Sequence, residues 1–223
     1  MARPYTERQA NKGNAQDNDV DKSNLKERTN SSAIRAAVDY IQRGGQIPEK
    51  ADVISALLAA EKESKRAKQR YTYEDLIGTW RLGFVSGTKT KKTQSGKSIK
   101  AVGDGRFLPG FVAIAITYTQ DTDNTGTVEN AVKLGPLSLK LTGPTRFWPN
   151  TNSLAFDFTA IQSRLGPLPL YNGDMRGGSD RNQTFKTQTL KDQAFFTFFL
   201  VEPDHIAARG KGGGLALWTR ASS

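Results

Sequence analysis

The sequence contains no cysteine and a single histidine, His205, among its 223 residues. Without thiols there is no disulfide, no thiolate metal site and no cysteine nucleophile. A lone imidazole cannot assemble a zinc site of the usual kinds, so His205 reads as a hydrogen-bonded structural residue and no metal is expected. No run reaches the roughly 20 apolar residues that span a bilayer as a helix. The N-terminus lacks the apolar core of a secretory signal, and Glu7, Asp17, Asp19 and Asp21 crowd a region where transit peptides are poor in acids. Neither leader is expected. The G-x-S-x-G elbow of a serine hydrolase is missing as well. The carboxylates Asp157, Asp174, Asp192, Glu202 and Asp204 show no pairing in the sequence. No catalytic residue is assigned, and no enzyme is expected.

Two loops invite ligand readings and fail them. Asp121-Thr-Asp-Asn-Thr-Gly opens like a calcium loop, but its twelfth position is Val132, where a bidentate Glu is needed. Gly210-Lys-Gly-Gly-Gly has the composition of a phosphate cradle, yet such cradles need a helix N-terminus behind them, and LALWTR reads as a strand. Both are hairpin turns on this reading. Lys and Arg number 32 against 22 Asp and Glu, a net charge of +10, which favours an anionic partner. The surplus gathers in two places: Lys65, Arg66, Lys68 and Arg70, and the acid-free segment 88–100 with Lys89, Lys91, Lys92, Lys97 and Lys100. The plain reading of the second is a solvated hairpin. Its functional reading is a patch for lipid headgroups or an acidic protein, worth about 1 kcal/mol per basic residue at an anionic membrane surface. No aromatic residue interleaves to stack on bases, so nucleic acid is not expected.

Hydrophobic residues make up 36% of the chain, low for a domain without a solvated extension. Residues 1–30 are polar and are expected to be a disordered or partner-ordered tail. Residues 31–71 read as a helical region. Ser31 and Ser32 stand where an N-cap should, Ile34, Val38 and Ile41 come next at helical spacing, and Gly44-Gly45 supplies a stop. Pro48 is placed in the first turn of a second helix whose apolar stripe is Val53, Ile54, Leu57 and Leu58. Helices this short need a surface to pack on.

From 72 to 223 the pattern is strand and turn. FVAIAITYTQ, TVENAVKL, LSLKLTG, SLAFDFTAIQSRLG and TFKTQTL are strand candidates, with turns at Asn124-Thr125-Gly126, Gly135-Pro136, Gly143-Pro144 and Asn172-Gly173. Many short strands at even spacing predict a closed antiparallel barrel or a sandwich. AFFTFFLV, residues 194–201, is apolar on both faces. Phe195, Thr197 and Phe199 share one side and Phe196, Phe198 and Leu200 the other. One side fills the barrel; the other, with Phe196 and Phe198, is assigned to the helices.

A barrel that opens on a helical turn and G-x-W and closes on a strand ending in Arg resembles the lipocalin-like folds. That resemblance implies that Trp80 and Arg220 pack together to seal one end. LIGTWRLGFVSG is similar to the first strand, and RGKGGGLALWTR to the closing hairpin, of the plastid-lipid-associated protein (fibrillin) family. The two helices and the Arg43-Gly44-Gly45 joint resemble that family's N-terminal region, so the likeness covers roughly residues 31–220. The lysine-rich insert and the polar tail depart from it. The expected fold is therefore mainly β: a lipocalin-like antiparallel barrel preceded by two helices.

The resemblance implies a peripheral thylakoid protein of the cyanobacterial cytoplasm or plastid stroma, with no required cofactor. It implies binding of a lipid, carotenoid or quinone rather than catalysis. A barrel of about eight strands can hold one small apolar ligand. Alternation offers Trp80, Leu82 and Phe84 on the first strand, and Leu215 and Leu217 on the last, as ligand-lining candidates. The alternative is a structural subunit that docks on a photosynthetic membrane complex through its tail and lysine-rich loop, its barrel packed with side chains. A cavity of several hundred cubic ångströms inside the barrel would favour the carrier.

Overall fold

Helix α1 spans Gly13–Arg43 in the computed structural model, which describes residues 13–92, 98–175 and 177–221. Residues 13–30 thus belong to a helix and not to the expected tail; residues 1–12 lie outside the described residues. Neither Gly nor Pro occurs from Asn14 to Arg43. Once Ile34, Val38 and Ile41 are fixed by packing, each added residue gains a hydrogen bond without a new nucleation cost, and the Ser31-Ser32 pair does not stop it. Gly44, at φ 77°, does, and its N–H closes the last turn on the Tyr40 carbonyl at 2.8 Å. Helix α2 is Lys50–Arg66, starting just after Pro48 rather than on it.

Eight strands come next in the chain: β1 Gly78–Lys92, β2 Ser98–Phe107, β3 Val112–Thr122, β4 Thr125–Leu134, β5 Leu137–Trp148, β6 Ser153–Phe156, β7 Ala160–Leu165 and β8 Leu168–Asp174. Helix α3, Gly178–Thr187, precedes β9 Ala194–Val201, β10 His205–Gly210 and β11 Leu215–Arg220. Pairing in the order β1-β3-β4-β5-β6-β9-β10-β11 and back to β1 closes an eight-stranded antiparallel barrel. The mainly β barrel behind two helices is as expected, with α3 added. TFKTQTL, expected as a strand, supplies the end of that helix. Its alternating threonines mimic a strand, but Phe185 is buried at 3% exposure with Thr184 and Lys186 beside it on the helix.

Two expected turns lie inside strands. Gly143-Pro144 falls where β5 changes partners: residues 137–142 pair with β7 and 145–148 with β6. Pro144, with no N–H to give, sits at that changeover. A Cβ on Gly143 would collide with the Asp157 carbonyl, so the close approach requires glycine there. Asn172-Gly173 lies within β8. SLAFDFTAIQSRLG correspondingly divides into β6 and β7. Strands β7 and β8 extend the sheet from β5 outside the closed ring, and β2 does the same from the far half of β1.

Two apolar layers result. Trp80, Tyr118, Phe147, Leu154, Phe198 and Trp218 fill the barrel. Ile34, Val38, Val53 and Leu57 of the helices pack against Phe84, Phe199 and Leu217 on its outer wall. The face assignments from alternation need correcting here. Pairing with β11 jumps from Leu82↔Trp218 to Phe84↔Leu217, so Gly83 is an extra residue and Phe84 turns outward to the helices. On β9, pairing jumps from Phe198↔Ala208 to Leu200↔Ala207. Phe199 is the extra residue; Phe196 and Phe198 face inward, and Phe199 and Leu200 meet the helices. Glu61 of α2, 7% exposed, ties this layer together by accepting two hydrogen bonds from Arg209 and one from Lys65 at 2.8 Å.

Candidate binding site

One end of the barrel is sealed. Arg220 pairs opposite Trp80 and its guanidinium lies 4.1 Å from the indole centroid, a cation–π contact. Trp80 donates from Nε1 to the Leu76 carbonyl at 2.8 Å, and Arg220 donates from Nε to the Pro203 carbonyl at 2.7 Å. The same pairing fixes the rest of β11. Arg220 shares a face with Trp218 and Ala216, which line the interior, so Leu215 and Leu217 stand on the opposite face, against the helices. Of the five candidate lining residues, the structure thus brings only Trp80 and Leu82 to the interior. Near the seal, burial raises the Tyr73 hydroxyl to about 12, although its hydrogen bond with Thr145 works the other way.

The other end is built differently. Strands β3, β4, β5, β7 and β8 run past the ring as an arm, and the register defines its faces. Ile116, Asn130, Leu141 and Ile161 stand in one row, Ile114, Val132 and Leu139 in the next, and Val112, Leu134, Leu137, Leu165 and Leu168 in the outermost. All share the side of Tyr118 and Val128, which point into the barrel. The opposite face carries Ala115, Ala131, Lys140 and Gln162, then Ala113, Lys133, Ser138 and Arg164. The arm is amphipathic, and its apolar face continues the barrel interior outward. Exposure rises along it, from 5% at Ile116 to 47% at Leu134.

Two polar atoms interrupt this face. Tyr118 Oη and Asn130 Oδ1 are buried, and neither has a hydrogen-bond partner among the described residues. Tyr118 pairs with Val128 and Asn130 with Ile116, so the two side chains leave diagonally adjacent positions. Burial pushes the Tyr118 hydroxyl far up, with Tyr73 adding to the effect, so it is a hydrogen-bond donor at any physiological pH. An uncompensated buried polar group costs about 1–3 kcal/mol. A ligand oxygen that accepts from Tyr118, or a hydroxyl that donates to Asn130, would relieve that cost. The signal was present in the sequence: Val128, Asn130, Val132 and Leu134 alternate, and Asn130 is the polar member of an apolar row.

Three cavities lie elsewhere, none of them inside the barrel, so the interior volume that would favour a carrier is not among them, and the arm alone speaks for a ligand. One of about 940 Å³ separates α3 from the outward threonines of β3–β5, and one of about 450 Å³ lies between α3 and the start of β9. The third, about 530 Å³, is a groove between α1, α2 and β9 lined by Ala56, Ala60, Arg35 and His205. The basic residues are partly committed to neighbours. Lys65 bonds Glu61, Arg66 pairs with Glu63 at 2.7 Å, and Lys89 pairs with Asp104 at 2.6 Å. Lys68 and Arg70 are exposed; Lys91, Lys92 and Lys100 stand on β1 and β2, and Lys97 lies outside the described residues. No group of three or more His, Asp or Glu side chains among the described residues could hold a metal.

His205 belongs to a strut. Its Nδ1 lies 2.7 Å from Asp204 Oδ1, and Arg35 of α1 donates to Asp204 Oδ2 at 2.6 Å. Burial raises the Asp204 carboxyl, but these hydrogen bonds outweigh it and hold the group below its ordinary value. A carboxyl lowered in the folded state contributes stability that is complete above the unfolded value, about 3.9, and is lost as pH falls through the lower folded value. Thermal melting from pH 7 to 2 should therefore show wild type losing its advantage over Asp204→Asn only below about pH 4. The Asp204 side chain is 38% exposed, so the advantage is at most about 1 kcal/mol.

No family model and no curated protein matches this chain. Among solved structures, it is similar to a redesigned β-barrel, with 12% identity, 67% of this chain and 95% of that chain covered, and a TM-score of 0.31. It is also similar to a protein described as EF1p2_mFAP2b bound to DFHBI, with 10% identity, coverage of 66% and 95%, and a TM-score of 0.30.

Proposed function

We propose that the protein binds one apolar small molecule carrying an oxygen function, of the lipid, carotenoid or quinone class, and performs no chemistry on it. The observation that carries the reading is the apolar arm face, which runs from the barrel interior and contains two buried polar atoms, Tyr118 Oη and Asn130 Oδ1, without partners among the described residues. Half-buried Ile114, Val132, Leu139 and Leu141 would cover the apolar body of the ligand. Aromatic side chains fill the sealed half, so the ligand lies toward the arm and Trp80 is a floor rather than a lining. The ligand classes come from the resemblance to plastid-lipid-associated proteins.

Organic extraction of the purified protein, with mass spectrometry of the extract, should recover such a molecule, and the stripped protein should take it up again in one-to-one ratio. Recovery of none, with none taken up, overturns the reading in favour of a barrel packed by its own side chains and serving as a docking subunit.

A further inference from the structure

We infer that the end of the barrel opposite the Trp80–Arg220 seal docks on an anionic lipid bilayer, with two leucine-bearing hairpin tips entering its interface. The sequence repeats itself there. Residues 133–139 read K-L-G-P-L-S-L and residues 164–170 read R-L-G-P-L-P-L. Each repeat forms a hairpin, β4–β5 and β7–β8, that turns on a left-handed glycine, Gly135 at φ 56° and Gly166 at φ 55°. The Gly166 N–H donates to the Pro136 carbonyl at 2.7 Å, which holds the two tips side by side.

The tips expose what a water-soluble surface normally hides. Leu134, Leu137, Leu165, Leu168 and Leu170 are 43–58% exposed, and Phe111, just before β3, is 72% exposed. Scattered apolar side chains need no explanation, but a row across four neighbouring strands is a contact surface. The row runs along the end of the continuous β4-β5-β7-β8 sheet, an edge that suits entry into a lipid interface.

The charges around the tips select the sign of that interface. No acid occurs in residues 130–141 or 161–173. Lys133 and Arg164 immediately precede the two Leu-Gly-Pro-Leu turns, on the polar face of the arm. Arg164 donates to the Pro167 carbonyl at 2.8 Å, which keeps its charge at the turn, and from the same face the long Lys133 side chain can reach headgroups while the leucines insert. Lys140, farther back, is held by Glu129 at 3.0 Å.

Strand direction adds the remaining cations to the same end. β1 meets β3 at Gly78↔Tyr118 and Arg81↔Ala115, so the course of β1 toward Lys92 is the course of β3 back toward Val112. The lysine-bearing β1–β2 hairpin, with Lys91, Lys92 and Lys100 besides Lys89, which Asp104 holds, therefore extends toward the same end as the leucine tips. So does the β10–β11 turn with Lys211, because Val85 pairs with Ala216. A second copy of this chain docking tip to tip would set Lys133 and Arg164 against their own counterparts, a like-charge arrangement that disfavours self-association.

The inference does not rest on the small-molecule reading, because vesicles free of any other ligand test it. The full chain is floated with vesicles of phosphatidylcholine alone or containing phosphatidylglycerol. Binding is expected to the second, weakening as salt rises. A variant combining Leu134→Ser, Leu137→Ser, Leu165→Ser and Leu168→Ser should bind at least tenfold more weakly at unchanged melting temperature. If that variant melts lower, Leu165→Trp decides instead: a blue-shifted emission shielded from aqueous quencher on acidic vesicles supports insertion, and unchanged emission overturns it. Equal binding of the serine variant, or no binding of the wild type to acidic vesicles, overturns the proposal. A wild-type dimer that the serine variant converts to monomer overturns it in favour of a self-interface.

Discussion

Phe198→Ala should lower the stability of the barrel by about 4 kcal/mol, whereas Phe199→Ala, one residue on, should release the helices and leave the barrel folded. Phe198 is 1% exposed and stacks edge-on or tilted against Tyr118, Phe196 and Trp218. Deleting it leaves a cavity in a closed ring of strands that cannot collapse around it. Phe199 is 4% exposed but belongs to the outer layer with Val38, Val53 and Leu57. Its loss weakens the seat of α1 and α2, where Glu61–Arg209 remains. Denaturant unfolding monitored by near-ultraviolet circular dichroism reports the tryptophans inside the barrel. Protease sensitivity of residues 34–60 reports the helices. A large midpoint shift is expected for Phe198→Ala and early helix cleavage for Phe199→Ala. The opposite pattern would show that Phe198 does not face the interior of the barrel and Phe199 the helices.

That pair also shows how far the sequence could be read. The strand-and-turn character of the barrel, the GKGGG hairpin and the two amphipathic helices are set by local chemistry: apolar alternation, turn residues and stops. Alternation fails wherever one residue is added to a strand; the lone glycine at 83 is a local sign of such an addition, and nothing comparable marks the one at Phe199. Gly83 reverses the parity of the residues beyond it and so carries Phe84 out of the interior, while the extra residue Phe199 does the same only for Leu200. Phe198 precedes that bulge; with both sides of β9 apolar, alternation separates its two faces but does not say which of them turns inward. Leu215 and Leu217 are another matter. A seal between Trp80 and Arg220 already places residues of even number on the inner face of β11, so the two leucines were excluded by parity. The start of α1 was hidden because polar residues 13–30 give no hydrophobic period, and the helix is carried back by propagation. The repeated Leu-Gly-Pro-Leu turns stood in plain view, but only the register sets them side by side.

The apolar arm face makes the second strong prediction, and it concerns binding. Val132 stands in the middle row, between Ile114 and Leu139, half-buried and clear of the ring. A carboxylate placed there has no basic partner on its own face and would have to be buried beneath an apolar ligand, an arrangement that costs several kcal/mol. Val132→Asp should therefore reduce affinity at least a hundredfold, since each factor of ten is about 1.4 kcal/mol. Tyr118→Phe removes one oxygen and nothing else. Its effect should be the net worth of a single hydrogen bond, about 1 kcal/mol or roughly fivefold in affinity.

The most direct test is a titration of the stripped protein with a benzoquinone bearing a decyl chain, read out by quenching of tryptophan fluorescence. Wild type should saturate at one equivalent, Tyr118→Phe should bind several-fold more weakly, and Val132→Asp should not saturate at all. Identical curves for the three proteins, or no saturable quenching in wild type, would contradict the assignment of the arm and the Tyr118–Asn130 pair as a ligand site.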